Sequence, residues 1–148
     1  MKKSFSLIEI LFVVIIISII SAVVLSKTSS NIQKTMLLKA KSDVILIKSA
    51  LNQYKNKMLL KQKSSYLSSL DDASINTKGL KLFTNIIKDV IFISTSKEQL
   101  KQGLWIKTSN NSYEFVLSSQ DQIEFIYDDV NNKFECDLST QYCDELIQ

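Results

Sequence analysis

The N-terminal part of the chain is one long apolar run. Thirteen of the sixteen residues from Ile10 to Leu25 are Leu, Ile, Val or Phe. With the residues from Phe5 onward, the run covers about 20 residues, or ~30 Å as a helix, which matches the thickness of a bilayer core. Since peptide groups in lipid must find internal partners, the pattern predicts a membrane-spanning helix over residues 5–25.

An amphipathic pattern follows the apolar run. Apolar residues recur at spacings of three and four, as on one face of a helix; they are Ile32, Met36, Ala40, Val44, Ile47, Leu51, Tyr54 and Met58. Four neighbours widen this apolar face, namely Leu37, Leu38, Ile45 and Leu46. No Gly or Pro interrupts the pattern, so we predict a single helix from Phe5 to about Leu60, whose second half packs against a folded domain.

The middle of the chain has weaker signals. Residues 64–77 are polar and rich in Ser, which is typical of a connecting loop. Apolar residues between Leu80 and Val90 have helical spacing, so we predict a short helix over Lys81–Val90. The Ile91–Ile93 segment that follows is a candidate strand.

Beyond Gly103 the apolar pattern alternates with a period of two, which indicates strands. The predicted strands are Leu104–Thr108, Tyr113–Leu117, Ile123–Tyr127 and Lys133–Cys136. Short links between them predict antiparallel hairpins in sequence order. Their apolar residues supply a face that covers the helix; they are Trp105, Tyr113, Phe115, Leu117, Ile123, Phe125, Tyr127 and Phe134. The predicted fold class is therefore α+β, with a long N-terminal helix packed on a small antiparallel sheet.

Composition excludes several kinds of chemistry. The 148-residue chain has no His, two Gly and no Pro, and its formal net charge is +3. Without His there can be no Ser-His, Cys-His or His-metal site, and two Gly cannot build a Gly-rich phosphate loop. These absences remove several common catalytic and phosphate-binding sites.

Glu9 is an isolated acidic residue inside the apolar run. No basic residue lies between Phe5 and Ser26 to pair with it. The apolar side chains favour insertion by roughly 4–8 kcal/mol, which exceeds the ~3 kcal/mol cost of one charge. The segment can therefore carry Glu9, but an acid in such a place is a functional candidate that needs a partner.

The sequence K-K-S-F-S-L-I-E followed by an apolar helix resembles the N-terminus of type IV pilins and type II secretion pseudopilins. The resemblance implies that a prepilin peptidase removes residues 1–4 after Ser4 and that the new N-terminal residue, Phe5, is N-methylated. Glu9 lies at the position of the family's assembly glutamate. Ser4 departs from the family, which normally has Gly before the cut. The implied fold is pilin-like, with an amphipathic helix over residues 26–60, a variable segment over 61–103 and a sheet with a C-terminal loop over 104–148.

The resemblance also implies a function. We expect a structural subunit and not an enzyme, namely a pseudopilin that polymerises into a periplasmic pseudopilus of a type II secretion-like or DNA-uptake system. The implied partners are the prepilin peptidase and N-methyltransferase, other pilin or pseudopilin subunits, the membrane and an inner-membrane assembly platform. The expected location is the inner membrane, with the domain of residues 26–148 in the periplasm. Alternatives are a minor pilin of a surface type IV pilus and a membrane-anchored periplasmic binding module that does not polymerise.

Other interpretations of the N-terminal segment fit less well. A secretory signal peptide has an apolar core of about 7–15 residues and a small-residue cleavage site. This run is longer and contains Glu9. An uncleaved signal anchor fits the length but leaves Glu9 unexplained.

Two further sites are candidates in the exported domain. Cys136 and Cys143 are expected to form a disulfide, because the translocated side of the membrane is oxidising. Some pseudopilins bind calcium in the corresponding loops, which makes three aspartates candidate ligands, namely Asp128, Asp129 and Asp137. The alternative for these acids is a set of hairpin turns and solvated edges. No other cofactor is expected.

A lysine cluster lies near the predicted end of the long helix, at Lys55, Lys57, Lys61 and Lys63. Such a cluster could contact DNA phosphates directly. We favour a solvated helix terminus, where positive charge also suits the helix dipole.

Overall fold

The computed structural model describes residues 7–63, 67–140 and 142–147. The chain divides into two compact units, residues 1–35 and residues 36–148. The first helix contributes to both units, and each unit is considered separately below.

The first helix, α1, spans Leu7–Leu60. Its end is a Schellman motif, in which Gln62 adopts a left-handed conformation with a φ of 51°. The Lys63 N–H donates to the Met58 carbonyl over 3.0 Å, and the Gln62 N–H donates to the Leu59 carbonyl over 3.0 Å. The predicted single helix is confirmed from Leu7 onward, while Phe5 lies outside the described residues.

The predicted membrane-spanning half of the helix is wrong. A crossing helix needs about 20 consecutive, predominantly apolar residues. Among the residues that the structure describes, no helix combines the required length and hydropathy.

The unit of residues 36–148 contains two antiparallel sheets. Strands β1 (Lys81–Leu82) and β2 (Phe92–Ile93) form a two-stranded sheet. The second sheet has four strands in sequence order, β3 (Trp105–Lys107), β4 (Ser112–Val116), β5 (Gln122–Asp128) and β6 (Lys133–Cys136). A short helix, α2 (Cys143–Ile147), follows. The predicted hairpin order of the sheet is confirmed.

The core of this unit lies between α1 and the inner face of the four-stranded sheet. From α1 it contains Ala40, Val44, Ile47 and Leu51, all buried. The eight predicted apolar residues of the sheet segment are buried as well. The α+β class is therefore confirmed, but the apolar face of α1 is narrower than expected because Leu38, Ile45 and Leu46 are exposed.

The predicted short helix over Lys81–Val90 is wrong. Residues 81–82 form β1, and the chain then turns at Phe83, whose φ of 60° is incompatible with a right-handed helix. Its N–H donates to Asp71 Oδ2 over 2.9 Å, and the Asn85 N–H donates to the Leu70 carbonyl over 3.0 Å. Only one turn forms inside the segment, where the Ile86 and Ile87 N–H groups donate to the Phe83 carbonyl, and the N–H groups of Phe83 and Asn85 are bound to residues 70–71.

The Cys136–Cys143 disulfide is present, with the two Cα atoms 5.8 Å apart. It joins the end of β6 to the start of α2. Cys143 is itself buried in the core, and Leu146 and Tyr142 pack against the same core. The bond therefore holds the C-terminal segment on the domain.

Candidate functional site

The N-terminal unit presents an apolar surface, formed by residues 7–22 of α1 and called here the apolar segment. All of these residues are exposed, and the large apolar side chains range from 48% exposed at Ile16 to 84% at Leu7. The segment contains two serines, and each hydroxyl forms a hydrogen bond with the backbone carbonyl four residues earlier. The Ser18 hydroxyl donates to the Val14 carbonyl over 2.7 Å, and the Ser21 hydroxyl donates to the Ile17 carbonyl over 2.8 Å. The helix therefore shows apolar surface on every side.

Glu9 lies in the first turn of α1. A carboxylate there suits the positive end of the helix dipole. The residue borders a shallow depression with Ile10, Val13 and Val14. No cation among residues 7–63, 67–140 and 142–147 forms an ion pair with it. The two residues of the expected cleavage site, Ser4 and Phe5, lie outside the described part of the chain.

A second polar site lies inside the unit of residues 36–148. The Lys107 ammonium donates to Asp71 Oδ1 over 2.9 Å and to the Asp71 carbonyl over 3.0 Å. Both side chains are almost fully buried, at 4% and 0% exposure. The Tyr113 hydroxyl and the Phe83 N–H each donate to Oδ2 over 2.9 Å, and the Ala73 N–H donates to Oδ1 over 3.0 Å. Four donors therefore satisfy this carboxylate, which makes the site a structural junction.

The electrostatics of this junction agree with its burial. Desolvation raises the pKa of the Tyr113 hydroxyl, and the charge of Asp71 raises it further. Sequence analysis did not identify the site. The available signal was the alternation in β3, which places Lys107 on the same face as the buried Trp105. A lysine on an inward face requires a buried carboxylate partner.

Two of the three candidate calcium ligands, Asp128 and Asp137, accept hydrogen bonds within local turns. Asp128 Oδ1 accepts the Val130 and Asn131 N–H groups over 3.0 Å each, and Asn131 also donates through its side chain. These bonds, the side-chain amide first, lower the pKa of Asp128. Asp137 Oδ1 accepts the Ser139 N–H over 3.0 Å. Among the described residues, no group of three or more acidic, His or Cys side chains is arranged to hold a metal ion, Asp129 included.

The lysine cluster is exposed on the surface around the end of α1. The last two lysines, Lys61 and Lys63, lie beyond the helix on the Schellman turn. In the part of the chain that the structure describes, none of the four lysines forms an ion pair with a carboxylate. This placement agrees with a solvated helix end, where positive charge meets the negative pole of the helix.

No family model, curated protein or solved structure matches the chain. The surfaces described above are therefore interpreted from their own chemistry. The apolar segment combines exposed large apolar side chains with a carboxylate, Glu9, that forms no ion pair among the described residues. It is therefore the candidate functional site.

Proposed function

We propose that the chain is a structural subunit that polymerises through its apolar segment, as a pseudopilin of a type II secretion-like or DNA-uptake system does. The observation that carries the proposal is the exposure of twelve large apolar side chains between Leu7 and Ile20. Monomeric proteins rarely expose continuous apolar patches of more than a few hundred Å². A helix that is apolar on all sides is stable when other elements surround it.

Several copies of the same helix can provide these surroundings. Contacts between unlike surfaces of identical subunits propagate as a filament when the rotation between subunits does not close a ring. Burial stabilises such a filament by roughly 1.5–3 kcal/mol for each large side chain that is fully covered. The apolar segment alone can thus supply a large driving force for assembly.

Glu9 determines the axial position of one helix against the next in this proposal. When the segment is covered, an unpaired carboxylate becomes costly, and a nearby ammonium removes most of the cost. Cleavage after Ser4 would create such an ammonium at Phe5 of a neighbouring subunit. Pairing between that amine and Glu9 would select one stagger between adjacent helices.

The disulfide supports the proposed compartment. Bonds of this kind persist in oxidising environments such as the bacterial periplasm and are rare in the cytosol. The Cys136–Cys143 bond therefore supports an exported domain. The proposed partners are a prepilin peptidase, an assembly platform and further subunits of the same family.

The proposal is tested by replacing the charge of Glu9 in the full chain in its native host. Glu9→Val should be cleaved after Ser4 like the wild type, yet form no filaments in negative-stain electron microscopy. Glu9→Asp keeps the carboxylate and should retain part of the assembly. Mass spectrometry of the mature N-terminus reports cleavage and methylation independently of assembly. Filaments of Glu9→Val in normal number, or wild-type protein that retains residues 1–4, would contradict the proposal.

A further inference from the structure

Two parts of the folded unit of residues 36–148 differ in the sign of their charge, while residues 64–106 between them carry both signs. Between Met36 and Lys63 there are seven lysines and one aspartate, whereas nine acidic residues and one lysine follow Lys107. The first set lies on α1 and its terminal turn, and the second on the sheet and the C-terminal segment. The unit therefore has a basic side and an acidic side.

The basic side is the outward face of α1. Its centre is an uncharged row of exposed residues, called here the outer stripe, formed by Leu38, Ser42, Ile45, Ser49, Asn52 and Asn56. These residues follow at spacings of four and three, so they share one helix face, opposite the buried core residues. Leu38 is 69% exposed and Ile45 is 60% exposed. At 100° per residue, Lys41, Lys48 and Lys55 border one side of the stripe and Lys57 borders the other.

The acidic side is the outward face of β5 and β6, called here the outer sheet face. Because side chains alternate along a strand, Ile123, Phe125 and Phe134 point to the core and the residues between them point outward. The outward residues are Gln122, Glu124, Ile126, Asp128, Lys133 and Glu135. Ile126 is 45% exposed in the middle of this charged surface.

Charge on the outer sheet face is incompletely compensated. Glu114 of β4 and Glu124 of β5 are directly opposite each other, an arrangement that destabilises an isolated sheet. Lys97 lies 3.0 Å from Glu114 and neutralises it. No lysine of the described residues forms an ion pair with Glu124. A cation from outside the chain would relieve this repulsion.

Within one chain the two surfaces approach each other at β6, where Lys48 and Asn52 line one depression with Lys133 and Glu135. Glu124 and Ile126 of β5 do not line this depression and are left for a second copy. We propose that the outer stripe of one subunit packs on the outer sheet face of a second subunit, with the bordering lysines beside Glu124 and Glu135. The exposed Leu38 and Ile45 then cover the exposed Ile126. The contact joins unlike surfaces, so it repeats in one direction and is compatible with a filament. It specifies the subunit arrangement of the proposed function, on which it rests.

A polyanion such as DNA fits the basic side less well. Phosphates would use the lysines but not the apolar and uncharged side chains of the outer stripe, and the acidic side of the same unit would repel them. Packing of the outer stripe on its own copy is also disfavoured, since it would place lysines against lysines.

Charge reversal in the full chain tests the contact. One variant reverses the helix side (Lys48→Glu with Lys55→Glu), and another reverses the sheet side (Glu124→Lys with Glu135→Lys). Each alone should weaken self-association at least about tenfold, measured by sedimentation, because like charges would then face each other. An equimolar mixture of the two variants should associate like the wild type, since each supplies the surface that the other needs. Lys88→Glu with Lys101→Glu, two exposed lysines outside both surfaces, is the matched control and should have no such effect.

The contact is also observed directly by carbodiimide cross-linking of isotopically light and heavy chains mixed together. Mixed-isotope peptides should join α1 lysines to Glu124 or Glu135. Their absence, or failure of the mixed variants to recover association, would overturn the contact. Duplex DNA retention by the wild type that the helix variant loses, together with an absence of mixed-isotope peptides in the wild type, would assign the lysines to DNA and likewise overturn the contact. Mixed-isotope peptides without wild-type filaments would refute the proposed function alone, and filaments without these peptides would refute this contact alone.

Discussion

At the scale of single residues, Asp71 joins three separate segments of the folded unit. Its carboxylate pairs with Lys107, orients Tyr113 and binds the N–H of Phe83 in a left-handed conformation. A non-glycine residue with this backbone conformation is strained and persists where its surroundings fix it. One buried acid thus links residue 83 to the sheet residues Lys107 and Tyr113.

Replacing this acid should be severely destabilising. Asp71→Ala leaves the Lys107 ammonium buried without a partner, and breaking such a pair costs about 3–5 kcal/mol of unfolding free energy. Urea denaturation of the full chain measures the change. Asp72→Ala removes the adjacent exposed acid and should stay within about 0.5 kcal/mol of the wild type. Equal effects of the two substitutions would contradict the role of Asp71.

Asp128 should contribute to the loss of folding stability at acid pH. Its pKa is lowered from the ordinary value of 3.8, mainly by hydrogen bonds from Asn131, so the folded state favours the ionised form. This contribution is present above the ordinary pKa and is lost as the pH falls through the lowered pKa. Thermal unfolding below about pH 4 should therefore depend less steeply on pH in Asp128→Asn than in the wild type. Asp144→Asn, which removes an exposed carboxylate from α2, is the control, and an identical pH dependence in all three proteins would contradict the prediction.

At the scale of elements, the local sequence pattern correctly predicted the helix and the strands in which apolar residues recur regularly on one face. The alternation Ile123, Phe125, Tyr127 identified β5 and its inward face, and the spacing from Ala40 to Leu51 identified the buried face of α1. The helix prediction after Gly79 failed because the apolar spacing is helical, while β1 pairs with β2 and the N–H groups of Phe83 and Asn85 bind residues 70–71. No local pattern contains that information, since tertiary contacts override local propensity.

The C-terminal element depends on its disulfide. The two cysteines are seven positions apart, and closing such a short loop contributes about 2.5 kcal/mol in the chain-entropy model. Cys136→Ala with Cys143→Ala should lower the unfolding free energy by about 2–4 kcal/mol, since the buried Cys143 side chain is also shortened. Denaturation with and without a thiol reductant measures the effect. Reductant should destabilise the wild type and leave the double variant unchanged, and an unchanged wild type would contradict the prediction.

At the scale of the whole molecule, Glu9 was easier to identify from the sequence than the extent to which the sheet covers α1. Glu9 was identified because it is the single charge in an apolar run, a contrast that needs no tertiary information. The width of the buried face of α1 was not predictable, because it depends on how much of the helix a four-stranded sheet can cover. Leu38 and Ile45 remain exposed for this reason and become part of a surface available to a second copy.

The central claim is that the apolar segment is covered by other copies of the chain. The most direct measurement is sedimentation and negative-stain electron microscopy of the full chain against Ile16→Asp, with Ile75→Asp as control. Ile75 is an apolar residue of the other unit, 51% exposed against 48% for Ile16. The account predicts filaments for the wild type and for Ile75→Asp and none for Ile16→Asp, because burying an unpaired carboxylate is costly. A monomeric wild type, or filaments of Ile16→Asp in wild-type amount, would contradict it.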